Sequence, residues 1–230
     1  MKKIISAILT LVLVLGIFTP VNLHANDPIN RIMTLIHSLL ETAASDTTFD
    51  LIHYSQNDPR WADMMFGSFT MAQGGCGPTA LAMVASTLSG TEVLPSYVAT
   101  WGSRFYTEGV GVSHALFTGA STHNHFGLNY QALNIYSDYA ILEALRGGAK
   151  IITSVQSSTG SNAREGNRGI FNPSGLGGHI VVIHGVTPYG NVFVTSPRYD
   201  FSENTEGWPL DVVRQELHRG INIFWTYTAQ

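Results

Sequence analysis

The chain has 230 residues, with 12 basic and 16 acidic side chains, a formal net charge of −4 at pH 7 and one cysteine. This length suits one domain with a substantial core, and a lone cysteine excludes an intramolecular disulfide. The acidic balance and the absence of a basic stripe argue against a nucleic-acid partner.

The N-terminus has the pattern of a secretory signal peptide. Lys2 and Lys3 precede an apolar run over Ile4–Phe18, and Ala25 offers a small residue for cleavage. The run is short for a membrane span, so we expect residues 1–25 to be removed and the mature protein to be secreted or at the cell surface. An uncleaved anchor is the alternative. Because residues 1–25 hold two lysines and no acidic residue, the mature chain would have a net charge of about −6. Such a charge would not attract the mature protein to an anionic membrane.

Residues 26–50 are predicted to form an N-terminal amphipathic helix and a linker. Apolar side chains recur at helical spacing from Asp27 to about Ala44, and mostly polar residues follow. The helix could be a prosegment, a docking element or the first helix of the core. The remaining residues, 51–230, are expected to form a single domain.

The pattern of the first half of this domain is mainly helical. Leu51–Tyr54 predicts a short strand. Helices are predicted over Thr79–Leu88, Leu94–Trp101, Ser113–Thr118 and Asp138–Leu145. Pro78 fits the first turn of the first of these helices and Gly90 fits its end. This helix is apolar on nearly all sides, so we expect it to be buried.

The second half has the pattern of a β-sheet. Strands are predicted over Lys150–Val155, His179–Val186, Val192–Thr195 and Ile221–Tyr227, and a short helix over Leu210–Leu217. A loop rich in Gly, Ser and Asn spans residues 156–178 and could form a wall of a cleft or an ordinary surface insertion. Helices followed by antiparallel strands predict an α+β fold.

Cys76 is the strongest candidate for chemistry because it lies in the run Gly74-Gly75-Cys76-Gly77-Pro78 at the start of a predicted helix. The free N–H groups and the dipole of a helix N-terminus stabilise a thiolate. The same donors can bind the oxyanion of a tetrahedral intermediate. An inert buried thiol is the alternative, since free cysteine is among the most buried residue types.

A cysteine nucleophile needs a base, and His179 is the best candidate. It follows Gly177-Gly178 and begins an apolar strand. Period-two alternation directs His184 to the opposite face, where a structural role is expected. His123 and His125 lack a third metal ligand, so we expect no metal ion, and the sequence indicates no cofactor.

Three blocks of the sequence resemble the papain-like cysteine peptidases related to the bacteriocin-processing, double-glycine leader peptidases. The resemblance covers about residues 51–200 and rests on Tyr54-x-Gln56-x-Asp58-Pro59-x-Trp61-Ala62, Gly74-Gly75-Cys76-Gly77-Pro78-Thr79-Ala80 and Gly178-His179-Ile180-Val181-Val182. It implies a papain-like fold with Cys76 as nucleophile and His179 as general base and acid. It also implies that the Gln56 amide joins the Cys76 backbone N–H in an oxyanion hole.

The sequence departs from this family at the residue expected to support the histidine. The family carries Asp or Asn before a proline on the next strand, whereas this chain has Ser196. A serine hydroxyl could accept the Nδ1–H of His179 but brings no negative charge. Depending on the hairpin register, Asp200 could pair with His179 instead, and the sequence does not decide between them.

The sequence therefore predicts a secreted thiol hydrolase that cleaves a peptide or amide bond through a Cys76 acyl-enzyme. The expected partners are peptides, proteins or cell-wall peptides. Transfer of the acyl group to an amine is a second possibility with the same residues. A third is a binding module that retains the fold and has lost turnover, which the serine at position 196 suggests.

Overall fold

A five-stranded antiparallel sheet forms the centre of the part of the chain that the structure describes. The structure is a computed structural model, and it describes residues 50–107, 111–112, 114–122, 125–156, 169–173, 177–218, 220 and 223–230. These residues belong to one compact unit, residues 43–230. The predicted signal peptide, nearly all of the segment 26–50 and most of the predicted loop 156–178 lie outside the described residues.

The described elements are six helices and nine strands. The helices are α1 (Met71–Gly74), α2 (Cys76–Ser89), α3 (Pro95–Gly102), α4 (His114–Thr122), α5 (Asp138–Arg146) and α6 (Leu210–Gln215). The strands are β1 (Met65–Phe66), β2 (Phe69–Thr70), β3 (Tyr106–Thr107), β4 (Gly111–Val112), β5 (Leu128–Asn134), β6 (Lys150–Gln156), β7 (Gly178–Val186), β8 (Val192–Thr195) and β9 (Ile223–Ala229). None of these helices is long and apolar enough to cross a membrane.

The central sheet has the strand order β5-β9-β6-β7-β8, and every neighbouring pair is antiparallel. Strands β1 and β2 form one separate hairpin, and β3 and β4 form another. The α+β class predicted from the sequence is therefore confirmed. Strand β8 is an edge strand that pairs with β7 from Val182 to Val186, whereas the start of β7, with His179, pairs with β6.

Each face of the sheet packs on helices, and alternation along β7 shows which residues face which helix. Ile180 and Val182 belong to the core cluster that contains α2. Val181 and Ile183 belong to the second cluster, with buried residues of α5 and α6. Helix α2 contributes ten buried residues, from Gly77 to Ser86, which confirms that it lies inside the protein.

Several predicted elements match the structure closely and three differences stand out. Helix α2 begins three residues before the predicted start because Pro78, which has no N–H, sits where the first turn needs no donor. The strand predicted over Leu51–Tyr54 is wrong: this segment forms no strand, and Tyr54 packs its ring edge-on against Trp61. Strand β5 escaped prediction because only two of its seven residues are buried.

Two glycines border α2 for different reasons. Gly90, which ends the helix, has φ of 66° and adopts the left-handed conformation that favours glycine. Gly75, which precedes Cys76, has φ of −81° and needs no special conformation. It is instead packed so tightly that an added Cβ would lie 2.5 Å from the backbone oxygen of Met71. Its lack of a side chain lets α1 and α2 meet at the position of Cys76.

We predict that Gly75→Ala destabilises the protein by about 1–3 kcal/mol, because the new methyl group must displace backbone atoms. The free energy of unfolding measured by urea titration checks this. Gly147→Ala is the matched control, since its Cβ would meet its nearest neighbours at 3.4 Å, an ordinary contact. Equal stability of the two variants would contradict the proposed steric role of Gly75.

Candidate active site

Cys76 is the first residue of α2, directly after the N-cap residue Gly75. Its side chain is half-buried and packs against the core cluster that contains Ile180. Three backbone N–H groups interact favourably with its sulfur, those of Cys76 itself, Gly77 and Ile180. Two of these are unpaired donors of the helix N-terminus, and the third belongs to β7. The structure therefore brings the sulfur to the start of β7.

The electrostatic environment of Cys76 favours the neutral thiol. Burial raises the pKa of this thiol, while the backbone N–H groups of Ile180, Gly77 and Cys76 and the charge of Arg198 oppose the increase. The position at a helix N-terminus was expected to promote the thiolate. Those donors are present, but they do not outweigh the desolvation of the sulfur.

His179 is the second residue of β7 and is also largely buried, with 5% of its surface exposed. It pairs with Val155 across the sheet, and its ring contacts the ring of Tyr199 edge-on at 5.3 Å between centroids. Burial, and then the positive charge of Arg198, lower the pKa of His179 to about 4. The imidazole is therefore neutral at physiological pH, and with the neutral thiol of Cys76 it forms no resting ion pair.

The structure brings Ser196 to His179. Ser196 follows the end of β8, is fully buried, and places its Oγ 2.8 Å from His179 Nε2. We had expected a bond to Nδ1, and that detail is wrong. With Nε2 occupied by Ser196, Nδ1 is the ring nitrogen left to serve a thiol.

The alternative partner of His179, Asp200, is not brought to it. Val182 pairs with Thr195, and a register shift follows between Ile183 and Gly185. This register corresponds to neither of the two predicted hairpins, so Ser196 reaches the imidazole diagonally from just beyond the strand. The Asp200 carboxylate instead accepts a hydrogen bond from the backbone N–H of Ser202.

The hydrogen bonds of Ser196 determine which group donates to His179. Its Oγ accepts the backbone N–H groups of Arg198 and Tyr199, each at 3.0 Å. A hydroxyl has two lone pairs and one proton, so with both lone pairs used its O–H donates to His179 Nε2. The resting imidazole then carries its proton on Nδ1. This reverses the expectation that Ser196 accepts a proton from His179, and it favours the neutral form of the ring.

The interactions described for Cys76 and His179 include no hydrogen bond between their side chains. The link between them is the backbone N–H of Ile180, the residue after His179. Catalytic hydrogen bonds are often long in the absence of substrate, so this arrangement is compatible with proton transfer after substrate binds.

Gln56 lies beside the helix that leads to Cys76, but its amide is engaged. Its Nε2 donates to the backbone oxygens of Met71, at 3.3 Å, and Ala72, at 2.9 Å. The backbone oxygen of Met71 also accepts the N–H of Gly75, so the Gln56 side chain lies about one helical turn before Cys76. Its Oε1 is buried without a hydrogen-bond partner among the described residues. An oxyanion-hole role would require Nε2 to release the longer of its two bonds.

Arg198 is a residue of the site that sequence reasoning missed. It is exposed, yet its charge acts on both Cys76 and His179. It also lines a cleft of about 840 Å³ between the segment 51–55, strand β8 and the residues that follow β8. The one feature of the sequence that pointed to Arg198 was its position two residues after Ser196. That position alone does not show which residues lie near Arg198 in the folded protein.

The described residues contain no group of three His, Cys, Asp or Glu side chains that could hold a metal ion. His123 lies outside the described residues. The Nε2 atom of His125 is hydrogen-bonded to the hydroxyl of Tyr97 at 2.8 Å, and the His125 ring stacks on the ring of Trp101. His184 bonds the hydroxyl of Thr195 at 2.9 Å.

Comparison with known proteins gives one family match and one similar solved structure. The model of the Peptidase_C39 like family matches residues 48–225. No protein of the curated set matches significantly. The chain is similar to the crystal structure of a protein provisionally assigned as a C39-like peptidase from Bacillus anthracis, with 15% identity, a TM-score of 0.48, and coverage of 80% of this chain and 96% of that one.

The family match spans helix α2, strands β5 to β8, the beginning of β9 and all the candidate site residues. The arrangement of helices around an antiparallel sheet agrees with the papain-like fold that the sequence predicted. The chain therefore belongs to the Peptidase_C39 like family.

Proposed function

We propose that the protein is a cysteine peptidase that cleaves a peptide or amide bond through a covalent acyl-enzyme. Membership of the Peptidase_C39 like family supports this class. The observation that carries the proposal is the position of Cys76, with backbone N–H groups of α2 and β7 around its sulfur. These donors can stabilise both the thiolate and the oxyanion that its attack creates.

In the proposed reaction Cys76 Sγ attacks the carbonyl carbon while its proton passes to His179. The C–N bond then breaks, and the same proton goes to the leaving amine. Water hydrolyses the thioester and restores the thiol, with His179 first as base and then as acid. The backbone N–H of Cys76 is the first oxyanion donor, and Gln56 is the proposed second donor once its amide leaves Met71.

Ser196 limits this reaction. To act as base at Nδ1, His179 must hold its own proton on Nε2 and donate it to Ser196 Oγ. Both lone pairs of that oxygen already accept backbone N–H groups, so one of those bonds must weaken, at a cost of about 1 kcal/mol. The described contacts of the His179 ring are with Ser196 and Tyr199, and neither brings a carboxylate to stabilise the imidazolium that forms. We therefore propose a slow enzyme.

A binding module is the second candidate, and the same observation favours it. A site with a neutral thiol, a neutral imidazole and no direct hydrogen bond between them resembles a pocket that holds a peptide without cleaving it. The proposed ligands are the same in both cases: peptides, proteins or cell-wall peptides outside the cell. Acyl transfer to an amine would use the same residues as hydrolysis and would differ in its products.

We predict that peptides and cell-wall fragments incubated with residues 26–230 yield products that depend on Cys76 and His179. Cys76→Ala should abolish cleavage, because no nucleophile remains, and His179→Ala should reduce it by at least about a hundredfold, the contribution of general acid–base catalysis. Mass spectrometry of the products is the measurement. Binding of the same peptides by both variants without cleavage by the wild type would support the binding module instead.

We also predict that Ser196→Asp activates the thiol at neutral pH. In the wild type, alkylation of Cys76 by iodoacetamide should accelerate only as pH rises beyond the ordinary thiol pKa of about 8.5, because the thiol pKa is raised. A carboxylate has lone pairs for Arg198 N–H, Tyr199 N–H and His179 Nε2–H. It should therefore raise the pKa of His179, favour the thiolate–imidazolium pair and increase alkylation at pH 6–7 at least about tenfold.

Ser196→Asn is a second variant with acceptor capacity and no charge, in case burial of a carboxylate prevents folding. Ser202→Asp, which adds a negative charge at an exposed position nearby, is the control. An unchanged alkylation profile in folded Ser196→Asp and Ser196→Asn would show that Ser196 does not limit the site.

A further inference from the structure

Arg198 presents a positive charge at the candidate active site while its backbone is held rigidly. Its N–H donates to the buried Ser196 Oγ at 3.0 Å. Its guanidinium carbon lies 6.0 Å from the centre of the Tyr199 ring, and that ring contacts His179. The turn after β8 therefore fixes the point from which this side chain extends, and the head group remains exposed.

The guanidinium of Arg198 has no acidic partner among the described residues. The salt bridges of the described residues use other arginines: Arg60 with Asp58, Arg146 with Glu143, and Arg214 with Asp138. Asp200, two residues away, directs its carboxylate to the N–H of Ser202.

The cleft beside Arg198 offers space for part of a substrate. It has a volume of about 840 Å³, and its lining combines the rings of Tyr199, Phe201 and Trp208 with polar groups that include His53 and the carboxylate of Asp200. Such a combination is typical of sites that bind a peptide or small molecule and orient it by a few polar contacts. Cys76 and His179 are not among the described residues of this lining. Arg198 is the link between the two places, because it lines the cleft and its backbone N–H bonds the Ser196 hydroxyl that contacts His179. Among the described residues that line the cleft, Arg198 is the one arginine or lysine side chain.

We propose that Arg198 is a specificity-determining residue that binds a substrate carboxylate next to the amide bond that Cys76 attacks. The planar guanidinium matches a carboxylate with two parallel hydrogen bonds. The carboxylate could belong to an acidic side chain or to a free peptide C-terminus, which share this chemistry. This inference rests on the proposed function, because it assumes that Cys76 attacks an amide bond. The preference of the site for negatively charged ligands can nevertheless be tested without turnover.

The test compares alkylation of Cys76 by iodoacetate and by iodoacetamide. In both reactions Sγ displaces iodide, and the reagents differ in that the first carries a carboxylate. Because the chain has one cysteine, all thiol labelling reports on this site. Dividing the iodoacetate rate by the iodoacetamide rate, both taken at one alkaline pH, removes any change in thiol ionisation. The ratio in the protein should exceed the ratio for free cysteine.

Arg198→Gln should lower this ratio by about three- to tenfold, the effect of removing one charge at short range near the surface. Arg198→Lys should retain part of the ratio, and added salt should reduce it in the wild type. Arg146→Gln removes an equal charge from an exposed position on α5 and should leave the ratio unchanged. An equal ratio in wild type and Arg198→Gln would overturn the proposal.

Peptide binding to the Cys76→Ala variant distinguishes the two sources of the carboxylate. Three matched peptides carry an internal Glu with an amidated end, an internal Gln with a free C-terminus, or an internal Gln with an amidated end. Stronger binding of one of the first two, lost in Cys76→Ala combined with Arg198→Gln, would identify the source. Equal binding of all three would contradict carboxylate recognition. Cleavage is not needed for either measurement, so absence of turnover would count against the proposed function alone.

Discussion

The packing of helix α2 across the central sheet is the constraint on which the rest of the site depends. Ten buried residues of this helix leave it little freedom, and the contact of Gly75 with Met71 fixes where it begins. The N-terminus of α2 consequently meets the start of β7. The sulfur of Cys76 interacts there with N–H groups from both elements, so the position of the candidate nucleophile follows from core packing.

The tautomer of the imidazole depends on a smaller feature, the three hydrogen bonds of the Ser196 hydroxyl. Two accepted backbone N–H groups leave its proton for His179 Nε2. Burial raises the pKa of Cys76, and burial with the charge of Arg198 lowers the pKa of His179, so both groups are held in their neutral forms. The same turn carries Arg198, whose charge favours the thiolate and opposes the imidazolium. Ser196, which contacts His179, and Arg198, which we propose to bind substrate, thus lie on the same turn.

The sequence was sufficient for the features that depend on local pattern. Hydrophobic periodicity and the glycines around Cys76 predicted helix α2, and an apolar run predicted β7 with His179 at its start. The partner of His179 depended on a register shift in β7–β8 that no local signal encodes. The direction of the Ser196 bond and the position of Arg198 depended on how the chain folds back after β8. The engagement of Gln56 with α1 is likewise a tertiary contact.

The protonation of His179 is the most direct test of this account. Nitrogen-15 NMR of the imidazole in the wild-type protein, followed over a pH titration, reports both its tautomer and its pKa. The account predicts a neutral ring with the proton on Nδ1 at pH 7 and a pKa near 4. A ring protonated on Nε2 would contradict the claim that Ser196 donates its proton to His179. A pKa at or above the ordinary value of about 6.5 would contradict the claim that burial and the charge of Arg198 keep the ring neutral.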